Sequence, residues 1–361
     1  MKNTTAVTLK TICVLLLSAL AIPAFAQDAK QIKQITKNYD LAKLAQLQLE
    51  LETEAKIQKT KAVEAARQNG WPIQRPNKNG GYDELMALSE DGKPIYYVLD
   101  NVNAAKSTRA NHLHSGGMLG LNLNGQGMFS GVWDGGPART THQEFGGRMT
   151  VGDGATTIGE NSTHATHVTG TVGASGVQAN AKGMAPQSTV RTFDWNNDTS
   201  EVIAEAANGL LLSNHSYGIP VESAPGNWFM GAYSGAARIW DQIAYNAPYY
   251  LMVASAGNDG NVTNPSPMTT GYDKLGGNKT AKNNLVVANC QDANVDAQGN
   301  LVSVNINSSS SEGPTDDRRI KPDITGNGSG LTSSTSNSNT SYGSLSGTSM
   351  ASPNVMGTLV L

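Results

Sequence analysis

The apolar positions of the chain fall into distinct regimes. From Asp28 to about Arg67, Leu41, Leu44, Leu51, Ala55, Ala62 and Ala65 recur at mixed three- and four-residue steps among Ala, Lys, Gln and Glu. This spacing predicts one long amphipathic helix, ended by Gly70-Trp71-Pro72. Leu85 to Leu88 and Ile95 to Leu99 then flank Asp91-Gly92, the pattern of a β-hairpin. From Leu119 onward, short apolar runs stand between Gly-rich turns. Phe129 to Trp133, Thr189 to Phe193, Leu210 to Asn214, Tyr250 to Ala254 and Leu285 to Ala288 read as buried strands, and Thr163 to Val172, Ser200 to Gly209 and Gly235 to Asn246 as helices. Strands alternating with helices imply a parallel sheet covered on both faces. Ser303 to Ser311 and Gly326 to Tyr342, dense in Ser, Thr, Asn and Gly, read as solvated loops, a composition that loops beside an active site share.

The first 26 residues have a separate character. Lys2 and Lys10 give a basic start, Ile12 to Ile22 is apolar, and Ala24-Phe25-Ala26 precedes Gln27. This is the pattern of a secretory signal peptide, since the apolar run is shorter than the ~20 residues of a membrane span. The chain is therefore expected to be secreted or otherwise extracytoplasmic, in the periplasm or at the cell surface, with no stable membrane span after signal removal. Cys13 lies in that segment, so only Cys290 remains and no internal disulfide can form. Cys290 ends an apolar run and reads as a small core residue. The net charge is −3, with Lys and Arg scattered, which gives no footprint for nucleic acid. Thirty-nine glycines in 361 residues imply many tight turns.

Candidate chemistry gathers around Gly343 to Pro353, G-S-L-S-G-T-S-M-A-S-P. A small-residue strand, Gly343 to Leu345, enters a Gly-Thr-Ser turn, and Met350, Ala351, Val355 and Met356 have helical spacing. Ser349 thus sits near a helix N-terminus, where unpaired N–H groups favour developing negative charge, and Gly347 leaves room for a substrate backbone. A hydroxyl is a weak nucleophile without a base and a group that holds the base. Asp134 ends the first buried strand, and His164 and His167 open a helix three residues apart. Asn258 follows Ser255-Ala256-Gly257 at the end of another strand. Each has an ordinary reading as well: Ser349 as a helix cap, Asp134 or Gly257-Asn258 as a turn. A metal-dependent hydrolase using His112, His114, His164 and His167 is a rival, but it lacks the His-Glu-x-x-His helix of a zinc protease.

G-T-S-M-A-S-P resembles the serine-nucleophile motif of the subtilisin-like serine peptidases, the subtilases. Thr163-His164-Ala165-Thr166-His167-Val168-Thr169-Gly170 is similar to the family's H-G-T-H-V-A-G, whose first histidine is the base, and Gly183-Met184-Ala185-Pro186 to its G-V-A-P turn. Thr141-His142-Gln143-Glu144-Phe145 is similar to the segment after the catalytic aspartate, and Ala254 to Asn258 resembles A-A-G-N. Ser310 to Thr315 and Arg319 to Ile324 resemble the stretch ahead of the nucleophile, with Asp323 read as a structural carboxylate. The order Asp, His, Ser along the chain is the subtilisin order. Two departures stand out. Gly135 replaces the hydroxyl residue that usually follows the aspartate, so one supporting hydrogen bond is expected to be missing or to come from elsewhere, and Ala165 replaces a glycine.

The resemblance implies a three-layer α/β/α fold with a mainly parallel, doubly wound sheet, preceded by the helix and hairpin. Together with the N-terminal patterns it divides the chain into a signal peptide over 1–26, an N-terminal segment over 27–115 and an expected catalytic domain over 116–361, the last apparently truncated within the helix that Ser349 begins. Subtilases often carry an inhibitory pro-domain of mixed helix and sheet, so the N-terminal segment is a possible intramolecular partner. The implied activity is hydrolysis of protein or peptide substrates through Asp134, His164 and Ser349, with Asn258 as oxyanion donor. The rival is a non-catalytic peptide-binding module. Asn214-His215-Ser216-Tyr217-Gly218 resembles the edge that pairs with an extended substrate, so Ser216, Tyr217, Gly218, Ser255, Ala256 and Gly257 are the substrate-binding candidates, and Tyr217 is expected to reshape a subsite wall. No cofactor is required, no metal ligand is assigned, and the structural calcium common in subtilases finds no acidic loop of ligand spacing.

Overall fold

The computed structural model describes residues 28–76, 82–89, 91–99, 107–159, 161–296 and 300–361. The expected signal peptide, Met1 to Ala26, lies outside the described residues. The helices are α1 (Ala29–Thr36), α2 (Leu41–Asn69), α3 (Ala110–Leu113), α4 (Ser162–Gly173), α5 (Asp198–Ala207), α6 (Gly235–Asn246) and α7 (Thr348–Leu359). The strands are β1 (Gln74–Pro76), β2 (Tyr82–Leu88), β3 (Pro94–Leu99), β4 (Phe129–Asp134), β5 (Met149–Val151), β6 (Thr189–Asp194), β7 (Leu212–His215), β8 (Tyr217–Gly218), β9 (Leu251–Ser255), β10 (Leu285–Cys290), β11 (Asn294–Val295), β12 (Leu301–Ser303), β13 (Ile324–Asn327), β14 (Ser329–Ser334) and β15 (Tyr342–Ser346).

Among the described residues, seven strands form one sheet in the order β13-β10-β9-β7-β4-β6-β5, with every pairing parallel. From β4 the chain reaches the edge strand β5, returns to β6 between them, and then crosses to the other side, where it winds outward through β7, β9, β10 and β13. Successive side chains of a strand point to opposite faces, which is why these strands read as continuous apolar runs. Val132, Val190, Val253 and Val287 pack under α4 and α7 with Val168, Met350 and Val355. Trp133, Phe193, Met252 and Ala254 pack on the other face with Ile203 of α5 and Trp240 of α6. The result is the three-layer, mainly parallel α/β arrangement that the alternation implies. Its doubly wound order reverses beside β4, where carboxyl-end crevices gather functional groups.

The N-terminal segment lies against the α5 and α6 face. Leu44 and Leu47 of α2 join the cluster around Trp133. The single helix expected over Asp28 to Arg67 is two helices. Asp40 leaves helical geometry and its carboxylate caps α2 by accepting from Lys43 N–H at 2.8 Å, while Tyr39 turns into the core. Tertiary burial and a local cap outweigh the helix propensity of the intervening residues. The hairpin forms, with β2 and β3 antiparallel, and β3 continues onto β8 through Val98 opposite Gly218 and Leu99 opposite Tyr217.

The Ser-rich stretch 326–342 is not a solvated loop. It contributes β14, antiparallel to β15, and Ser333 and Ser334 are fully buried. Gly170 lacks a side chain, so α4 lies directly against these two serines, and Ser334 Oγ donates to Thr166 O at 3.1 Å. Small hydroxyl residues suit such a contact because they let backbones approach and still satisfy a carbonyl.

Trp133 stacks on Phe193 at 4.2 Å, and its indole N–H donates to Glu201 Oε2 at 2.9 Å. Burial raises the Glu201 carboxyl to about 8 from an ordinary 4.5. A raised acid binds its proton more tightly when folded. The stability it contributes is full below the ordinary value and falls as pH climbs through the folded value. Wild-type unfolding free energy is therefore expected to decline between about pH 5 and pH 8 more steeply than that of Glu201→Gln, measured by denaturant titration. Parallel pH profiles would contradict it.

Candidate active site

β4 carries Asp134 to the carboxyl edge of the sheet, where it is fully buried. α4 begins beside it, and Nδ1 of His164 lies 2.8 and 2.9 Å from the two carboxylate oxygens. A carboxylate accepts, so Nδ1 carries the hydrogen and the neutral ring keeps its lone pair on Nε2. Gly135 N–H also donates to Asp134 Oδ1, at 2.7 Å. At Gly135 the main chain thus supplies one donor. A side chain there would have its Cβ 2.9 Å from both Cβ and Nδ2 of Asn161, so Asn161 occupies the space instead.

The turn after β15 reaches α7 through Gly347, whose φ of 147° lies in the region that favours glycine. Ser349 Oγ donates to the Ser216 carbonyl at 2.9 Å, and Ser216 Oγ donates to the Ser349 carbonyl at 2.8 Å. Asn214 Nδ2 donates to Ser216 Oγ at 2.8 Å, and Ser352 Oγ donates to Asn214 Oδ1 at 2.7 Å. Asn258 Oδ1 accepts from Thr348 N–H at 2.9 Å and from Thr348 Oγ1 at 3.3 Å. Gly257 N–H donates to Thr348 Oγ1 at 3.0 Å. With its carbonyl side held, the planar amide of Asn258 turns Nδ2 the opposite way. Sequence reading assigned no role to Asn161, Asn214, Thr348 or Ser352. Thr348 and Ser352 lie within the motif around Ser349 and Asn214 opens the segment read as the substrate edge, whereas Asn161 had no local signal.

The other substrate-binding candidates line the same edges. Ser216, Ser255 and Ala256 are buried, and Gly257 has φ 109°. The Tyr217 ring turns inward: its hydroxyl donates to Asp198 Oδ2 at 2.7 Å and its backbone meets Leu99. His167 is fully buried, with Nε2 3.1 Å from Leu331 O and 3.2 Å from Gly343 O, and burial lowers its pKa to about 3. It stays neutral with Nε2–H donating. His114 Nε2–H donates to Met184 O at 2.6 Å. Among the described residues no three His, Cys, Asp or Glu side chains converge as metal ligands. Asp323 Oδ2 accepts from Val286 N–H at 2.7 Å and from Lys321 Nζ at 2.6 Å, and Cys290 is buried in the core.

The Gly135 and Asn161 contact yields a test of stability. Gly135→Ser is expected to cost about 1 to 3 kcal/mol by overpacking, and Asn161→Gly in the same chain to recover more than its own single effect predicts. Denaturant unfolding of the two single variants and the double variant measures this coupling. Additive effects would contradict it.

The model of the subtilase family matches residues 103–361. Solved structures similar to the chain include a self-cleaved protease domain of PatA, at 21% identity and TM-score 0.48 over 65% of this chain and 79% of that one. A cold adapted subtilisin-like serine proteinase matches at 21% identity and TM-score 0.43, over 65% and 75%. The PatG macrocyclase domain matches at 15% identity and TM-score 0.47, over 65% and 74%. No curated protein matches the chain. By the extent of the family match, this chain belongs to the subtilase family.

Proposed function

We propose that the chain is a secreted or extracytoplasmic serine endopeptidase, released by removal of a signal peptide over Met1 to Ala26. The observation that carries this reading is the double contact of Asp134 with His164 Nδ1 at the start of α4, which packs against α7, the helix whose first turn carries Ser349. Ser349 Oγ attacks a peptide carbonyl carbon while His164 Nε2 takes the hydroxyl proton. Asp134 holds the ring and stabilises its protonated form. The carbonyl electron pair becomes an oxyanion received by Asn258 Nδ2 and the Ser349 N–H. Collapse breaks the C–N bond, and the proton passes from His164 to the leaving amine. Water then loses a proton to His164, adds to the ester, and expels Ser349 Oγ, which takes the proton back.

The N-terminal segment is the proposed intramolecular partner. β3 occupies the backbone edge of Tyr217 and Gly218, the edge read as the substrate's. Around it, Glu84 joins Lys59 Nζ at 2.6 Å and accepts from Trp195 Nε1 at 3.0 Å, which ties the hairpin to α2 and to the catalytic face. Residues 27–115 in this reading act as a pro-segment that competes with substrate.

The chain is expected to react with a fluorophosphonate probe at Ser349, and labelling should vanish in Ser349→Ala and fall by about 100-fold or more in His164→Ala. A folded protein that takes no label would favour the peptide-binding reading. Val98→Pro removes an N–H from the β3 and β8 pair and is expected to speed labelling. An unchanged rate would remove the pro-segment role.

A further inference from the structure

Three loops meet at Gly231, which lies between β8 and α6. Asp273 comes from the loop between β9 and β10, and Asp316 from the loop between β12 and β13. Main-chain bonds lace them together: Gly231 N–H donates to Leu275 O at 2.7 Å, Asp316 N–H to Gly231 O at 2.9 Å, and Asp273 N–H to Gly313 O at 3.0 Å. A Cβ on Gly231 would stand 2.3 Å from Oδ1 of Asp273 and 2.3 Å from Oδ1 of Asp316. The two carboxylate oxygens are therefore within twice that distance of each other, over a residue with no side chain to part them.

Asp273 is 2% exposed. Its Oδ2 accepts from Met268 N–H at 3.1 Å, but Oδ1, buried on the side of Asp316, has no hydrogen-bond partner. Among the described residues, no Lys, Arg or His lies within ion-pair distance of either carboxylate. Lys274 Nζ joins Glu312 at 3.0 Å instead, and Arg319 Nε joins Asp317 at 2.9 Å. Burial holds both acids above their ordinary 3.8, and the neighbouring Asp273 raises Asp316 further. Two like charges at this range, one of them out of water, need a cation or a proton between them.

The geometry favours a cation. Calcium sits about 2.3 to 2.6 Å from its oxygens, so one ion bridges carboxylate oxygens up to about 5 Å apart, and its irregular shell of six to eight ligands admits water. Asp316 is exposed, which leaves that side open to solvent. Magnesium is smaller and demands a near-ideal octahedron. We propose that Oδ1 of Asp273 and Oδ1 of Asp316 form a calcium site that ties the three loops together, with water completing the shell. The β9–β10 loop also carries Asn258, and Asp259 N–H donates to Ser311 Oγ of the β12–β13 loop at 3.0 Å. The ion thus braces the two loops that support the candidate oxyanion donor, and the site stands independently of the peptidase reading.

The test is calcium titration of the full chain after chelation, with binding followed by calorimetry and stability by denaturant unfolding. One calcium per chain is expected, with a Kd of about 0.1 to 1 mM, and calcium at ten times Kd should raise the folded-to-unfolded ratio about tenfold. Asp316→Asn, at an exposed position, should weaken binding at least about tenfold, yet be more stable than the wild type without calcium because a like charge is gone. Asp317→Asn, which removes only the partner of Arg319, should keep the calcium response. An acid held above its ordinary value contributes stability below that value and loses it as pH rises through the folded one, so the gain from calcium should grow over the same rise. Equal stabilisation of the wild type and Asp316→Asn by calcium overturns the site. So does a wild type whose stability falls with rising pH and is not restored by calcium, the behaviour of two carboxylates sharing a proton.

Discussion

A carboxylate withdrawn from water must be paired, and Asp134 is withdrawn completely at the end of the central strand. Its position follows from β4 lying between β6 and β7, where the winding of the sheet reverses. Its partners follow from its charge. The Gly135 N–H and the His164 ring supply hydrogen bonds, and α4 must start where it does for the ring to reach. Trp133, the residue before it, fixes the strand from the opposite face by stacking between Phe193 and His215. The same pairing that makes Asp134 tolerable orients the imidazole, so one interaction serves stability and, under the proposed mechanism, reactivity together.

A second set of constraints holds Ser349. Ser352, Asn214 and Ser216 form a relay of buried hydrogen bonds that ends on the Ser349 backbone, and Thr348 and Asn258 close the turn from the other side. These are small polar side chains on α7, β7 and the loop after β9. They substitute for the rigidity that a disulfide would lend, in a described structure whose only cysteine is the buried Cys290. Buried networks of this kind specify one arrangement because every member loses a partner if any shifts.

Much of this was legible in the sequence where the signal was local. Strand–turn–helix strings around Asp134, His164, Asn258 and Ser349 carried both the fold and the candidate chemistry, since each motif bundles its own structural context. Contacts made across the chain were not. The break at Lys37 to Asp40 depends on Tyr39 finding the core. Burial of Ser333 and Ser334 depends on α4 presenting Gly170. Asn161 filling the space at Gly135, β3 adding to β8 and Asp273 meeting Asp316 over Gly231 are meetings of distant segments, and no periodicity records them.

The claim at the centre of this account is a covalent one: Ser349 carries the acyl group between substrate and water. Intact-mass analysis after rapid acid quench, with an activated acyl ester as substrate, tests it directly. The account predicts a single acyl adduct that maps to the peptide containing Ser349, builds up within the first turnover, and is absent from Ser349→Ala. Ester turnover by folded protein with no adduct, or an adduct that survives in the alanine variant, would contradict it.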